Sequence, residues 1–315
     1  MSVVTRTKQL MRDLTARVVA PVLRRLAHDP SYFELWQSYG FHVTSSDLYQ
    51  PIPNTGGLPF SLWNRVSDLP GIDMREEQQK RLLSDVVARF KDEFTAIPEG
   101  ASTQQFRYYL GNTAFKGVDA EILFGLIRLF KPRRMYEVGS GFSTLLAADA
   151  LRRNRAEGHS CRFIAIEPYP SAELQTALPS EVELWPMLVQ QVSLDEFQSL
   201  GEGDILFIDS SHVCKIGSDV QFLFLEVLPR IRPGVVVHIH DIFMPLEYPR
   251  HWVLDWHRFW NEQYLLQTFL TFNSMFEVLW ASQWMHIKHP DFLTKAFGSY
   301  KPGVSPGSFW FRRTR

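Results

Sequence analysis

Between residues 119 and 245 short apolar runs alternate with helix-like segments, and this alternation limits the fold more than any other feature of the chain. Residues 135–138, 163–166, 205–208 and 235–239 read as strands, and 182–188 reads as another with Pro186 inside it. Asp119 should cap a helix that ends at Lys131-Pro132. Ser143 should cap one running through Arg155, and Ser218 should open one through Leu228. Ser193-Leu194-Asp195-Glu196 has the form of a capping box. Strands that alternate with helices form βαβ units, which build a parallel sheet covered on both faces. The expected class is therefore α/β, with a Rossmann-like doubly wound sheet. A chain of 315 residues, 45% hydrophobic and 21% charged, can bury such a core without disulfide or metal staples.

The first strand runs into Glu137-Val138-Gly139-Ser140-Gly141-Phe142-Ser143-Thr144, and a helix follows. Glycine permits a sharp turn and lets a ligand approach the backbone. The first βα turn of a doubly wound sheet lies beside its switch point, where ligands bind. A dinucleotide site wants a third glycine three residues after the second, so that the pyrophosphate reaches the helix N-terminus. Thr144 holds that position here. Glu137 is unfavourable beside a pyrophosphate and favourable beside a cationic amino-acid group. Charge therefore favours S-adenosylmethionine over a nicotinamide dinucleotide. Glu167, ending the next strand, can accept both hydroxyls of a ribose. The candidate cofactor residues are Glu137, Gly139, Ser140, Gly141, Ser143, Thr144 and Glu167, with Asp209 and Ser210 at a later strand end.

That later strand ends in Asp209-Ser210-Ser211-His212, and the following one in His238-Ile239-His240-Asp241. Parallel strands of one sheet end on one rim, so Asp209, His212, His240 and Asp241 should gather there. Histidine has the intrinsic pKa to deprotonate a hydroxyl near neutrality. His212, His240 and Asp241 are thus the candidate catalytic residues. The competing reading makes His238 and His240 sheet-end residues that satisfy buried hydrogen bonds.

The flanks are less specific. In residues 1–30, Arg6, Lys8, Arg12, Arg17, Arg24 and Arg25 stand against Asp13 and Asp29. With Leu10, Leu14 and Val18 they describe a basic amphipathic helix, broken or restarted near Pro21. It would lie on a membrane surface, or pack on its own domain or a partner chain. Residues 40–72 are dense in turn signals and suit a lid. Asp73 should cap a helix over 74–94. Trp252, Trp256 and Trp260 form a stripe at helical spacing, either buried against the sheet or walling an acceptor pocket. The expected organisation is a helical and lid region over 1–110, then a binding domain over 111–315 with an aromatic extension from about 246. A net charge of −1 gives no sign of nucleic acid. No run is apolar and long enough for a transmembrane helix, and no signal peptide is visible. Two cysteines, Cys161 and Cys214, argue against a disulfide framework or structural zinc and fit a reducing cytoplasm.

The segments 136–144, 163–168, 203–212 and 233–241 resemble class I S-adenosylmethionine-dependent methyltransferases of the group that modifies small molecules and saccharides. The resemblance covers about residues 105–245. It implies a seven-stranded sheet with the last strand antiparallel. It places Glu137, Gly139 and Gly141 along the methionine and ribose and Glu167 on the ribose, with Gln190 and Gln191 near the adenine. In the metal-dependent subset of that family, carboxylates at the two later strand ends bind magnesium. Asp209 and Asp241 match them, while His240 replaces an acid. Asn112 and Tyr108-Tyr109 fall in a segment that in the family folds over the cofactor, or they form a plain surface loop. The implied reaction is O-methylation of a hydroxyl on a saccharide or small natural product. N- or C-methylation at the same site, a non-catalytic cofactor-binding scaffold and a nicotinamide oxidoreductase are the alternatives. Oligomeric state is left open by the sequence, a homo-oligomer included.

Overall fold

A computed structural model describes residues 3–101 and 107–315. Residues 105–106, where the resemblance begins, and the Arg6 side chain lie outside that description. The chain divides into two compact units, Met1–Phe60 and Ser61–Arg315. Helix α3 (Glu76–Thr95) belongs to the second unit: Gln79 donates to the Met74 carbonyl and accepts from Ala281 N at 2.8 Å.

The first unit holds α1 (Val3–Leu26) and α2 (Phe33–Ser38). Helix α1 is continuous through Pro21, against the expected break. Its apolar stripe is exposed, Leu10, Leu14 and Val18 included. No helix among the described residues is long and apolar enough to cross a membrane.

The second unit follows with α4 (Val118–Phe130), β1 (Arg134–Val138), α5 (Phe142–Ala156), β2 (Arg162–Ile166), α6 (Ala172–Ala177), β3 (Val182–Trp185), α7 (Leu194–Gln198), β4 (Ile205–Ile208), α8 (Asp219–Phe222) and β5 (Val236–Ile239). Then come α9 (Arg250–Leu254), α10 (Glu262–Leu270), β6 (Phe276–Ala281), α11 (Ser282–Lys288), α12 (Pro290–Ala296) and β7 (Phe309–Arg313). The seven strands form one sheet in the order β3-β2-β1-β4-β5-β7-β6. The first five are parallel, and β7 runs antiparallel between β5 and β6. Alternate side chains feed two cores. Met135, Phe163 and Phe207 pack with Leu123, Ile127 and Leu146 on one face. Tyr136, Ile164 and Leu206 pack with Leu223, Val227 and Leu266 on the other. Phe207 is fully buried, so truncating it to Ala would cost about 3–5 kcal/mol.

Several helix starts differ from expectation. Gly117 precedes α4, and Asp119 lies inside its first turn. The Asp119 carboxylate instead accepts from Gly307 N and Ser308 N, anchoring the approach to β7. Gly141, not Ser143, precedes α5. Left-handed Arg75 precedes α3, while Asp73 accepts from Arg75 N at 2.9 Å. Ser218 does cap α8, but the helix passes at once into a π turn and a 3-10 turn. Strand β3 stops before Pro186, which cannot donate to the ladder. The Trp stripe is not helical: α9 ends at Leu254, and the chain turns at His257 with φ +54°.

Candidate active site

The strand ends are stitched together at one level. Gly139 N donates to the Ile166 carbonyl, Asp209 N to Val138 and His240 N to Ile208, each at 2.9 Å. The residues that follow β1, β2, β4 and β5 therefore share one rim, as strand direction predicts.

At the β1 end the two glycines serve different purposes. Gly139 has φ +94°, and a Cβ there would meet the Asp209 carbonyl oxygen at 2.1 Å. Gly139 thus lets β1 lie close to the end of β4. At Gly141 a Cβ would meet nothing within 4 Å, so open space adjoins the backbone there. Thr144 is buried, and its hydroxyl accepts from Gly141 N at 2.9 Å. Ser143 is also buried and donates to Glu137 Oε1 at 2.5 Å. Both hydroxyls shape the turn rather than face open space. Burial pushes the Glu137 carboxyl up to about 8, against the Ser143 and Thr144 hydroxyls.

Among the described residues, Glu137 Oε2, Ser140 Oγ, Ser210 Oγ and Gln190 Oε1 are buried without a hydrogen-bond partner. Each such group costs about 1–3 kcal/mol unless a water or a ligand satisfies it. Gln190 Nε2 reaches the Gly217 carbonyl at 2.8 Å, whereas Gln191 turns back to accept from Leu188 N at 3.2 Å. Glu167 accepts from Tyr169 N at 2.8 Å through one oxygen.

Asp209, His212, His240 and Asp241 do converge. His212 Nε2 lies 3.4 Å from Asp209 and 3.6 Å from Asp241, and His240 Nε2 lies 3.7 Å from Asp241. His212 and Asp241 both have left-handed backbones, with φ +60° and +57°. Non-glycine residues rarely adopt that region, and such strain gathers at functional sites. A fifth member comes from α10: Glu262 Oε2 is 2.9 Å from His212 Nδ1. No sequence motif singles out Glu262. The side chains are graded from interior to mouth: Glu262 is 1% exposed, His212 8%, Asp241 18% and Asp209 31%.

Burial alone would lower the His212 pKa, but hydrogen bonding to Asp209 and Glu262 raises it well above the usual histidine range. Burial likewise opposes charge on His240, yet Asp241 and Asp209 raise it. Burial pushes Asp241 and Glu262 up. Asp209 resists burial and sits low because His240 and His212 face it. Three carboxyl groups thus face two histidines on this rim. Asp209, His212 and Asp241 can each offer one ligand atom, all within 4.8 Å of one another.

His238 belongs to the core. It stacks on Phe207 at 4.0 Å, lies 3.0 Å from the Ser308 hydroxyl, and is kept neutral by burial and by His240. Asn112 is buried and bonds to Tyr109, Ala114 and Phe115, while the Tyr108 hydroxyl donates to the Phe115 carbonyl. That self-braced loop is no plain surface loop. It sets the Phe115 ring 4.9 Å from His240.

Strand order, glycine turn and polar rim together define a Rossmann-like methyltransferase architecture. A family described as a methyltransferase domain matches residues 136–242, which span the glycine turn and both acidic strand ends. A protein of Archaeoglobus fulgidus, described as uncharacterized, is 31% identical over 165 residues, 50% of this chain and 73% of that protein. The chain belongs to the class I methyltransferase family. Solved structures similar to it include the O-methyltransferase TomG of Streptomyces achromogenes in complex with SAM, at 17% identity and TM-score 0.39 over 74% of this chain and 90% of that one. Another is an O-methyltransferase of Bacillus cereus in complex with SAH, at 14% identity and TM-score 0.35 over 74% and 91%.

Proposed function

We propose that this chain transfers a methyl group from S-adenosylmethionine to a hydroxyl oxygen of a saccharide or small natural product. The observation that carries the reading is the set of unpartnered buried polar atoms at the β1 and β4 ends, directly beside a cluster able to take a proton. Glu137 Oε2 suits the cofactor's ammonium, and the free oxygen of Glu167 suits its ribose hydroxyls. The Ser140 and Ser210 hydroxyls and Gln190 offer further polar contacts. Open space at Gly141 leaves room for the ligand beside the backbone. The sulfonium supplies an activated methyl group, so the protein's tasks are alignment and removal of one proton.

His212 takes that proton at Nε2. Glu262 holds Nδ1 and stabilises the imidazolium once formed, the role that a buried acid plays in a catalytic triad. Asp209 and Asp241 orient the ring from its open side, and His240 places a second positive charge behind Asp241. A second reading is favoured by the convergence of Asp209, His212 and Asp241. These residues would hold a divalent ion that lowers the acceptor hydroxyl's pKa. The two oxygens suit magnesium, and the nitrogen shifts preference towards manganese.

The test is transfer of labelled methyl from S-adenosylmethionine into small molecules of a cell extract, with and without chelator. His212→Ala should lower transfer by 100-fold or more, in the usual range for a general base of about 10²–10⁴. Activity that survives chelation refutes the metal reading. Activity that is lost and then restored by magnesium or manganese refutes the metal-free route. Wild-type rates in both His212→Ala and His240→Ala exclude histidine as the base.

A further inference from the structure

The segment after α9 holds a cation that the rim chemistry does not use. Arg258 is half-buried. Its guanidinium carbon lies 4.8 Å from the ring of each of three tryptophans, Trp252, Trp256 and Trp260. Among the described residues the guanidinium makes no ion pair and donates no hydrogen bond. Cation–π contact stabilises the charge through the faces of the indoles. It leaves unused the N–H donors in the guanidinium plane, which form a rigid fork.

The position of this group relates it to the reacting centre. Trp260 is shared, its ring lying 4.2 Å from the His212 imidazole. Asn261 N and Glu262 N donate to the His212 carbonyl at 3.2 and 3.3 Å, which ties this segment to the loop after β4. A cation with open donors therefore stands one indole away from the proposed base. Trp256 is half exposed, so the cluster remains open to solvent.

We propose that Arg258 forms an acceptor subsite for an anionic oxygen group, a carboxylate or a phosphate ester, carried by the molecule whose hydroxyl is methylated. This rests on the methyl-transfer reading above. A planar fork pairs with such groups through two parallel hydrogen bonds. The indoles keep water off the guanidinium faces, which strengthens the pairing relative to an exposed arginine. The base one ring away then meets a hydroxyl on the same molecule.

The test needs no knowledge of the natural acceptor, because the tryptophans around Arg258 report on it. Sodium glucuronate, glucose 6-phosphate and neutral glucose are titrated at constant ionic strength while tryptophan fluorescence is followed. The expected result is a saturable change with at least one anion and none with glucose. Preference between the two anions identifies carboxylate or phosphate as the group recognised. Arg258→Met keeps the aliphatic stem and should weaken anion binding at least about tenfold, since a hydrogen bond to a charged group is worth roughly 1.5–3 kcal/mol. Arg258→Lys keeps the charge without the fork and should bind more weakly than wild type; it serves if the Met variant fails to fold. The proposal is overturned if neither anion gives a saturable change, or if Arg258→Met binds as tightly as wild type. S-adenosylmethionine binding is measured on the same samples by calorimetry. Cofactor binding without anion binding refutes the subsite alone, whereas absent cofactor binding refutes the reading beneath it.

Discussion

Replacing Glu262 by Gln isolates the one member of the rim that no motif announces. The side chain keeps its shape and loses its charge. Wild-type Glu262 is 1% exposed and 2.9 Å from His212 Nδ1, so the bond lost is buried and charge-assisted. Such a bond contributes about 1.5–3 kcal/mol, equivalent to roughly a ten- to hundredfold change in proton affinity. His212 is held above the usual range despite burial by Asp209 and Glu262 together. A base works in its neutral form, so methyl transfer rises as pH climbs through the His212 pKa. Loss of the Glu262 charge moves that rise to lower pH. Asp209 and Asp241, at 3.4 and 3.6 Å, retain part of the elevation. Imidazole NMR titration of wild type and Glu262→Gln reads the change without any acceptor. A His212 titration that stays in place, or moves to higher pH, refutes Glu262 as the group that sets its proton affinity.

Other substitutions separate the roles of neighbouring residues. Gly139→Ala should destabilise the fold by about 1 kcal/mol or more, because a Cβ at positive φ meets the Asp209 carbonyl; Gly141→Ala should melt like wild type yet bind S-adenosylmethionine more weakly, and calorimetry with thermal melts checks both. Glu137 has its folded pKa raised to about 8 by burial, so its contribution to stability is fully present below the ordinary carboxylate value and is lost as pH rises towards 8. Ligand-free Glu137→Gln should therefore melt above wild type at pH 8, by a margin that disappears near pH 4–5, while binding the cofactor more weakly; equal melting temperatures at pH 8 would contradict the burial argument.

Much of the rim is legible in sequence because strand direction decides it. Once residues 205–208 and 235–239 are parallel neighbours, Asp209, His212, His240 and Asp241 must emerge together, and they do. What stays hidden depends on which way side chains turn within a loop. Ser143 and Thr144 look like ligand groups in a glycine-rich turn, yet both turn inward to brace it. The need for glycine at 139 has a second source that the sequence hides, the Asp209 carbonyl lying where a Cβ would stand. Asp119 has the residue type of a helix cap and acts instead as an anchor for residues far along the chain. Glu262 joins His212 across 50 positions, a contact made by tertiary packing with no periodic signal. The tryptophans at 252, 256 and 260 have helical spacing, but the helix ends at Leu254 and the three rings gather on Arg258 instead.

The central claim is that this rim binds S-adenosylmethionine, and calorimetric titration of the purified protein with that molecule tests it most directly. Glu167 is the sharpest probe, since its one free oxygen is assigned to the ribose hydroxyls and a charged hydrogen bond there is worth about 1.5–3 kcal/mol. A single saturable site is expected in wild type, weakened at least about tenfold by Glu167→Ala, with no heat from NADH. Absence of S-adenosylmethionine binding, or saturable NADH binding in its place, would contradict it.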